Sequence, residues 1–137
     1  MRNSKWLVVG FLVCLFSSSV SAASKSISDT EIRSVAEPIL DRILMAYKTN
    51  DYQLYSKDFD VALKNYLTKE IFLKYDADLE GSIGHCQNRQ YLGFLRQNEK
   101  TIILWKAEFD KTTYDVLIKL EIVKKDERYE VTRLWFE

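Results

Sequence analysis

Apolar residues change their spacing once along this chain. From Ile32 onward they recur three and four apart (Ile32, Val35, Ile39, Ile43 and Tyr47, with Leu40 and Leu44 widening the stripe), the period of an amphipathic helix. Ser28 and Glu31 stand at the two positions of a capping box, so the helix is expected to start just after Ser28. It should reach about Lys48, kink at Pro38, which lacks a backbone donor, and break at Asn50 and Asp51. A short helix over 52–56 is expected next, then helical stretches over 61–67 and 69–79. Gly81 and Gly84 close the helical half.

After Gly84 the period becomes two. Residues 87–97 predict a long strand, with Gly93 at a bulge or bend. Over 101–109, Ile103, Trp105, Ala107 and Phe109 alternate with Leu104, Lys106 and Glu108. Over 114–123, Tyr114, Val116, Ile118, Leu120 and Ile122 alternate with Asp115, Leu117, Lys119 and Glu121. Over 128–136, Tyr129, Val131, Arg133 and Trp135 alternate with Glu130, Thr132, Leu134 and Phe136. Turns fall at 110–113 and 124–127, and such short connections predict an antiparallel meander. If Phe109 opposes Tyr114, then Trp105 opposes Ile118. One face of the sheet is then almost wholly apolar, interrupted by Arg133, and should pack on the helices. The expected fold class is α+β, with N-terminal helices packed on a curved antiparallel sheet of about four strands.

Composition adds a compartment to this picture. The 137 residues carry 20 Lys and Arg against 20 Asp and Glu, and 47% are hydrophobic. This is a globular balance, without the basic surface that nucleic-acid binding requires. Arg2 and Lys5 precede an apolar run of eleven residues, Trp6 to Phe16, and the small residues up to Ala22 follow. Those three regions predict a secretory signal peptide over 1–22, leaving 23–137 as a single α+β domain in the periplasm or outside the cell. The run is shorter than the roughly 20 residues of a membrane-spanning helix, so no stable membrane insertion is expected after cleavage. Removal of the leader also removes Cys14, leaving Cys86 as the one thiol: a small buried residue, an intermolecular disulfide or a reactive nucleophile.

Tyr47-Lys48-Thr49-Asn50-Asp51-Tyr52, Tyr91-Leu92-Gly93-Phe94-Leu95, Leu104-Trp105-Lys106-Ala107-Glu108-Phe109 and Asp115-Val116-Leu117-Ile118-Lys119-Leu120 resemble helix-junction and strand segments of small bacterial exported proteins of unknown function. With the order of elements over about 28–137, they make the chain resemble the nuclear transport factor 2-like, or ketosteroid isomerase-like, superfamily. The resemblance implies helices cradled by a curved sheet that forms a cone with a pocket. It implies no one activity, because that superfamily holds isomerases, dehydratases, cyclases, toxin-neutralising proteins and binding modules.

The chemistry offered by the residues is sparse. Asp76, Asp78 and Glu80, with Gly81 and Ile83, match the start of a calcium loop, but Gln87 stands where a bidentate carboxylate is needed, and strand character follows it. A solvated helix end accounts for the same residues. His85 and Cys86 are adjacent, so on a strand they point to opposite faces, against both a zinc site and a Cys/His pair. No metal and no cofactor are expected. The sheet face expected to meet the helices carries Trp105, Tyr129, Arg133 and Trp135. These are the candidate ligand-binding residues, with Arg133 holding an anionic group and the rings supplying apolar contact. A salt bridge from Arg133 to Glu37 or Asp41 and plain core packing of the rings are the alternatives. That face offers no base between Trp105 and Trp135, so catalytic residues stay unknown; if the faces were swapped, Asp115 and Glu108 would enter the pocket. The mixed face, with Leu104, Leu117, Leu134 and Phe136 among charges, is expected to carry a homodimer. The chain therefore reads as an exported domain binding a small anionic or apolar ligand or a protein. A pocket-carboxylate isomerase or hydrolase, and a toxin-neutralising or structural partner, are the other readings.

Overall fold

A computed structural model describes residues 27–137, so the expected leader over 1–22 lies outside the described residues. The elements are α1 (Asp29–Thr49), α2 (Tyr52–Tyr55), α3 (Val61–Tyr66), α4 (Lys69–Ser82), β1 (Cys86–Gln97), β2 (Lys100–Phe109), β3 (Val116–Lys125) and β4 (Arg128–Phe136). The fold is α+β: helices first, then one four-stranded antiparallel sheet in the order β1-β2-β3-β4.

The same device starts each helix among the described residues. Ser28, Asp51, Asp60 and Thr68 each accept, through a side-chain oxygen, the backbone N–H three residues on. Each thereby satisfies an otherwise orphaned amide. α1 is one continuous helix through Pro38. Its buried stripe is Ile32, Ala36, Ile39, Leu40, Ile43 and Ala46, with Val35, Leu44 and Tyr47 packed partly against the core. α4 continues past Leu79 to Ser82, so Gly81 does not end it; the chain leaves the helix at Gly84, which has a φ of +83°.

β2 and β3 pair as the alternation predicts, with Trp105 opposite Ile118 and Ile103 opposite Leu120. Two-residue loops join β1 to β2 and β3 to β4. Their first residues, Asn98 and Asp126, have φ of 57° and 54°, a conformation that Asn and Asp tolerate. The third strand begins at Val116, two residues later than its alternation suggests, and Tyr114 is exposed.

Three bulges break the alternation, the first at the start of β1, where Gln87 is the extra residue between Cys86 opposite Phe109 and Asn88 opposite Glu108. On β1, Leu92 is the extra residue between Tyr91 opposite Trp105 and Gly93 opposite Leu104. On β4, Thr132 is the extra residue between Val131 opposite Ile122 and Arg133 opposite Glu121. Side-chain direction in a strand has a period of two, so one inserted residue exchanges the faces of everything beyond it. Leu134 and Phe136 consequently lie on the helix side, opposite Leu120 and Ile118, while Arg133 and Trp135 lie on the outer side, opposite Glu121 and Lys119. This corrects the expected face of all four residues.

Polar links tie α1 to the sheet. Glu37 accepts from Trp105 Nε1 at 3.0 Å and from Arg89 at 2.8 Å, and Asp41 accepts from Arg89 as well. The carboxylates expected to hold Arg133 are thus held by Arg89, which faces the helices from β1. The segment between α2 and α3 closes one position of the β4 edge: Val131 donates to Asp58 O at 2.8 Å, and Asp60 donates to Val131 O at 2.9 Å.

Candidate functional site

Among the described residues no segment pairs with the edge of β4 beyond Val131. α3 and α4 stand off from it and leave an open cavity of about 740 Å³. That lies within the roughly 300–1,000 Å³ typical of ligand sites. α1 and α2 contribute Tyr47 and Tyr55, α3 contributes Ala62, Leu63 and Tyr66, and α4 contributes Tyr75, Asp78, Leu79 and Ser82. The other wall is the run from Thr132 to Phe136. Tyr66 and Tyr75 are exposed and stand at the mouth, whereas Tyr55 and Leu63 are buried at the floor.

The floor is a pair of phenols. The Tyr47 hydroxyl donates to the Tyr55 hydroxyl at 3.1 Å, and both rings pack on Phe72. Burial pushes the Tyr47 hydroxyl far above the ordinary phenol range, with the nearby Tyr55 and Asp76 adding to the effect. Burial likewise pushes Tyr55 up to about 12, its hydrogen bond with Tyr47 partly offsetting the rise. Both remain neutral at physiological pH, so the floor offers hydroxyl donors and acceptors without charge.

A buried carboxylate lies behind this floor. Asp76 is 4% exposed. It lines a chamber of about 40 Å³ with Glu80, His85 and Cys86, and Tyr47 and Leu79 border both spaces. That chamber has room for one water. Burial raises the Asp76 carboxyl above its usual range, Glu80 adds to this and His85 opposes it. The perturbed carboxylate and the large cavity are therefore on opposite sides of Tyr47. Asp78, the carboxylate that lines the cavity, is exposed.

The four candidates from the sequence separate. Arg133 and Trp135 both line the cavity, from the edge and outer side of β4. Their side chains are neighbours, with the Arg133 guanidinium 6.0 Å from the Trp135 ring centroid. Trp105 is fully buried under α1, bonded to Glu37 and packed edge-on against Tyr91. Tyr129 is half-buried at the far end of the sheet, opposite Lys124, and is not in the cavity. The expected pocket beneath the middle of the sheet is instead core, and the cavity opens at its edge. The tyrosines of the cavity escaped the sequence reading. Their one signal was the density of tyrosine in the helical half, at 47, 52, 55, 66 and 75.

Asp76, Asp78 and Glu80 lie in α4, which sends Asp76 inward and Asp78 to the cavity; they form no loop. Among the described residues no group of three or more His, Cys, Asp and Glu could hold a metal ion. Cys86 is a free, half-buried thiol whose pKa burial raises, which weakens it as a nucleophile. Among the described residues no helix is long and apolar enough to cross a membrane.

No protein-family model matches the chain, and no curated protein matches it. Among solved structures, it is similar to Bd1075 of Bdellovibrio bacteriovorus, at 15% identity and a TM-score of 0.48, over 82% of this chain and 42% of that one. The chain thus spans less than half the length of that protein. It is also similar to a SEC-C motif containing protein of Rhodopseudomonas palustris, at 12% identity and a TM-score of 0.48, over 76% of this chain and 90% of that one. Likenesses of this degree carry no argument about function.

Proposed function

We propose that this chain is an exported, non-enzymatic binding module whose ligand occupies the cavity beside β4. The observation that carries the reading is the cavity itself: about 740 Å³ left open between aromatic walls that would otherwise close into core. Large apolar patches at a concave site favour a ligand with an apolar or aromatic body. The neutral Tyr47 and Tyr55 hydroxyls supply hydrogen bonds at the floor, and Arg133 supplies a cation at the rim. A ligand with a flat apolar body and an anionic end matches that arrangement.

Export rests on the basic start, the eleven-residue apolar run and the small residues before Ala23. Kinship with nuclear transport factor 2-like domains belongs to the same proposal and is supported by the order of helices and strands. Self-association belongs to it too, through the outer sheet face with Ile102, Leu104, Leu117 and Trp135; Leu134 and Phe136 leave that list because they face the helices. Light scattering on residues 23–137 checks that point, and a single-subunit mass at micromolar concentrations would refute it.

The cavity is tested with 1-anilinonaphthalene-8-sulfonate, an aromatic anion. Saturable one-site binding to residues 23–137 is expected, with energy transfer from tryptophan. Ala62→Trp fills the cavity from an exposed position on α3 and should abolish binding while leaving the fold intact. Equal binding by wild type and Ala62→Trp would overturn the reading.

A further inference from the structure

We propose, on the basis of that binding reading, that the natural occupant of the cavity is an extended peptide segment of another protein, added to β4 as a fifth strand. The first observation is which residues line the cavity. Thr132, Arg133, Leu134, Trp135 and Phe136 all do so, five in succession. Successive side chains of a strand point to opposite faces, so a cavity on either face would touch alternate residues. Contact with every residue places the cavity along the edge, in the plane where a neighbouring strand would lie.

The second observation is the direction of the backbone groups. Leu117 and Glu137 exchange both of their hydrogen bonds, at 2.6 and 2.9 Å. In an antiparallel ladder such mutual pairs alternate with pairs whose N–H and C=O point outward. Lys119 with Trp135 and Glu121 with Arg133 are the next mutual pairs. The N–H and C=O of Leu134 and Phe136 therefore point away from β3, into the cavity. Among the described residues no backbone or side-chain group bonds to them from that side. Two donors and two acceptors stand there at strand spacing, the pattern that β-addition satisfies.

The third observation is continuity. One step back along the same edge, the chain already makes this kind of contact with itself, where Phe59 bridges Val131 in parallel. The open positions extend that contact. Neither proline nor lysine blocks them, since the one proline of the chain is Pro38 and no lysine lies between Val131 and Phe136. The opposite wall sets the side chains that fit. Leu63, Leu67 and Leu79 face the space with the Tyr47 and Tyr55 rings, so an inward residue of the peptide is apolar. A second copy of this chain is a poorer occupant through its own β4 edge, because that edge is walled by α3 and α4, which would meet the same wall here first.

The test uses amide exchange on 15N-labelled residues 23–137. The probes are five pentapeptides, acetyl-Thr-Val-Xaa-Val-Thr-amide, with Xaa Phe, Tyr, Trp, Leu or Ile. In the free chain, the Leu134 and Phe136 amides are expected to exchange fast and those of Trp135 and Glu137 slowly. At about 1 mM, a concentration that detects weak binding, at least one peptide should slow Leu134 and Phe136 by about tenfold or more. Two analogues of that peptide carry N-methyl groups on alternate amides, one in each phase. An added strand presents one phase to β4, so one analogue should bind and the other should fail. Slow exchange at Leu134 and Phe136 in a free monomer would overturn the proposal, as would protection by dimerisation without peptide. Equal binding of both analogues, or no protection by any of the five, would overturn it as well. The dye distinguishes the two levels: saturable dye binding with no peptide effect sinks the strand and leaves the cavity reading standing, whereas loss of both sinks both.

Discussion

The Thr132 hydroxyl donates to the Glu121 carboxylate at 2.7 Å, and Thr132 is also the residue that β4 holds in excess over β3. Lys100 donates to the same carboxylate oxygen at 2.9 Å from the other side. A carboxylate 4% exposed is thereby kept charged inside the sheet. Burial alone would push its pKa up, but the hydrogen bonds from Lys100 and Thr132, together with the positive charges of Lys100 and Arg133, outweigh burial and hold it below the usual carboxylate range. A lowered folded-state pKa contributes stability that is present above the unfolded-state value, about 4.3, and is lost as pH falls through the folded value. Urea midpoints of wild type should therefore drop between neutral pH and pH 3 by more than those of Glu121→Gln. Thr132→Val should cost about 1–2 kcal/mol at pH 7, the loss of one hydrogen bond to a buried charge. Identical acid profiles for wild type and Glu121→Gln would contradict this account.

That bulge is also where the sequence stopped being readable. Spacing alone located the helices within a few residues, the α+β order, and the pairing of Trp105 with Ile118, because local periodicity and the short connection between Phe109 and Val116 determine them. Face assignment along β4 assumed unbroken alternation. One inserted residue at Thr132 reverses Arg133 through Phe136, and no Gly or Pro marks the spot. The ion pair anticipated from Arg133 to Glu37 or Asp41 is absent among the described residues, and Arg89 pairs with both carboxylates instead. Arg89 reaches α1 because it stands opposite Ala107 on the helix side, a fact about register between distant segments. The cavity lay beyond reach for the same reason: it is bounded by the distance between α3–α4 and an edge strand, which no single element encodes.

Asp76 offers a pH dependence of the opposite sign. Its carboxyl is raised above the ordinary range chiefly by burial, so the folded state disfavours its charged form. The penalty is complete above the folded pKa, relaxes as pH falls through that value, and is gone below the unfolded one, about 3.9. Asp76→Asn should accordingly gain stability relative to wild type at pH 8, by about 1 kcal/mol. The difference should shrink steadily towards pH 4. A constant difference from pH 8 to pH 4 in chemical denaturation would show that charge is not the cause.

Gly84 sits where a side chain has no room. Its φ is +83°, and an added Cβ would lie 1.8 Å from Asp110 Oδ1. That carboxylate oxygen accepts the His85 N–H at 3.0 Å, and Asp110 N–H returns a bond to His85 O at 3.1 Å. Gly84→Ala must therefore strain the backbone and displace Asp110 from the link between α4 and β2. A loss of about 2–4 kcal/mol is expected, combining left-handed strain with a broken link. The size of the loss is measurable by thermal unfolding, with Gly81→Ala as the comparison. Gly81 is helical and open around its Cα, so its replacement should be stabilising by up to about 1 kcal/mol. Similar unfolding temperatures for the two variants would refute the steric argument.

Arg133 separates a binding role from a structural one. Among the described residues it forms no ion pair, its side chain is exposed, and Trp135 is its aromatic neighbour. A residue placed so contributes little to stability, and Arg133→Ala should shift it by no more than about 0.5 kcal/mol. The same guanidinium lines the cavity rim, where an anionic ligand loses a charge-assisted contact when it is removed. Dye affinity should fall by about three- to tenfold, and added salt should weaken the wild type more than the variant. Arg133→Lys keeps the charge without the planar fork and should fall between the two. If Arg133→Ala instead lowered the unfolding temperature by several degrees and bound the dye as tightly as wild type, the side chain would be a structural brace. The anionic end of the proposed ligand would then have to be held elsewhere.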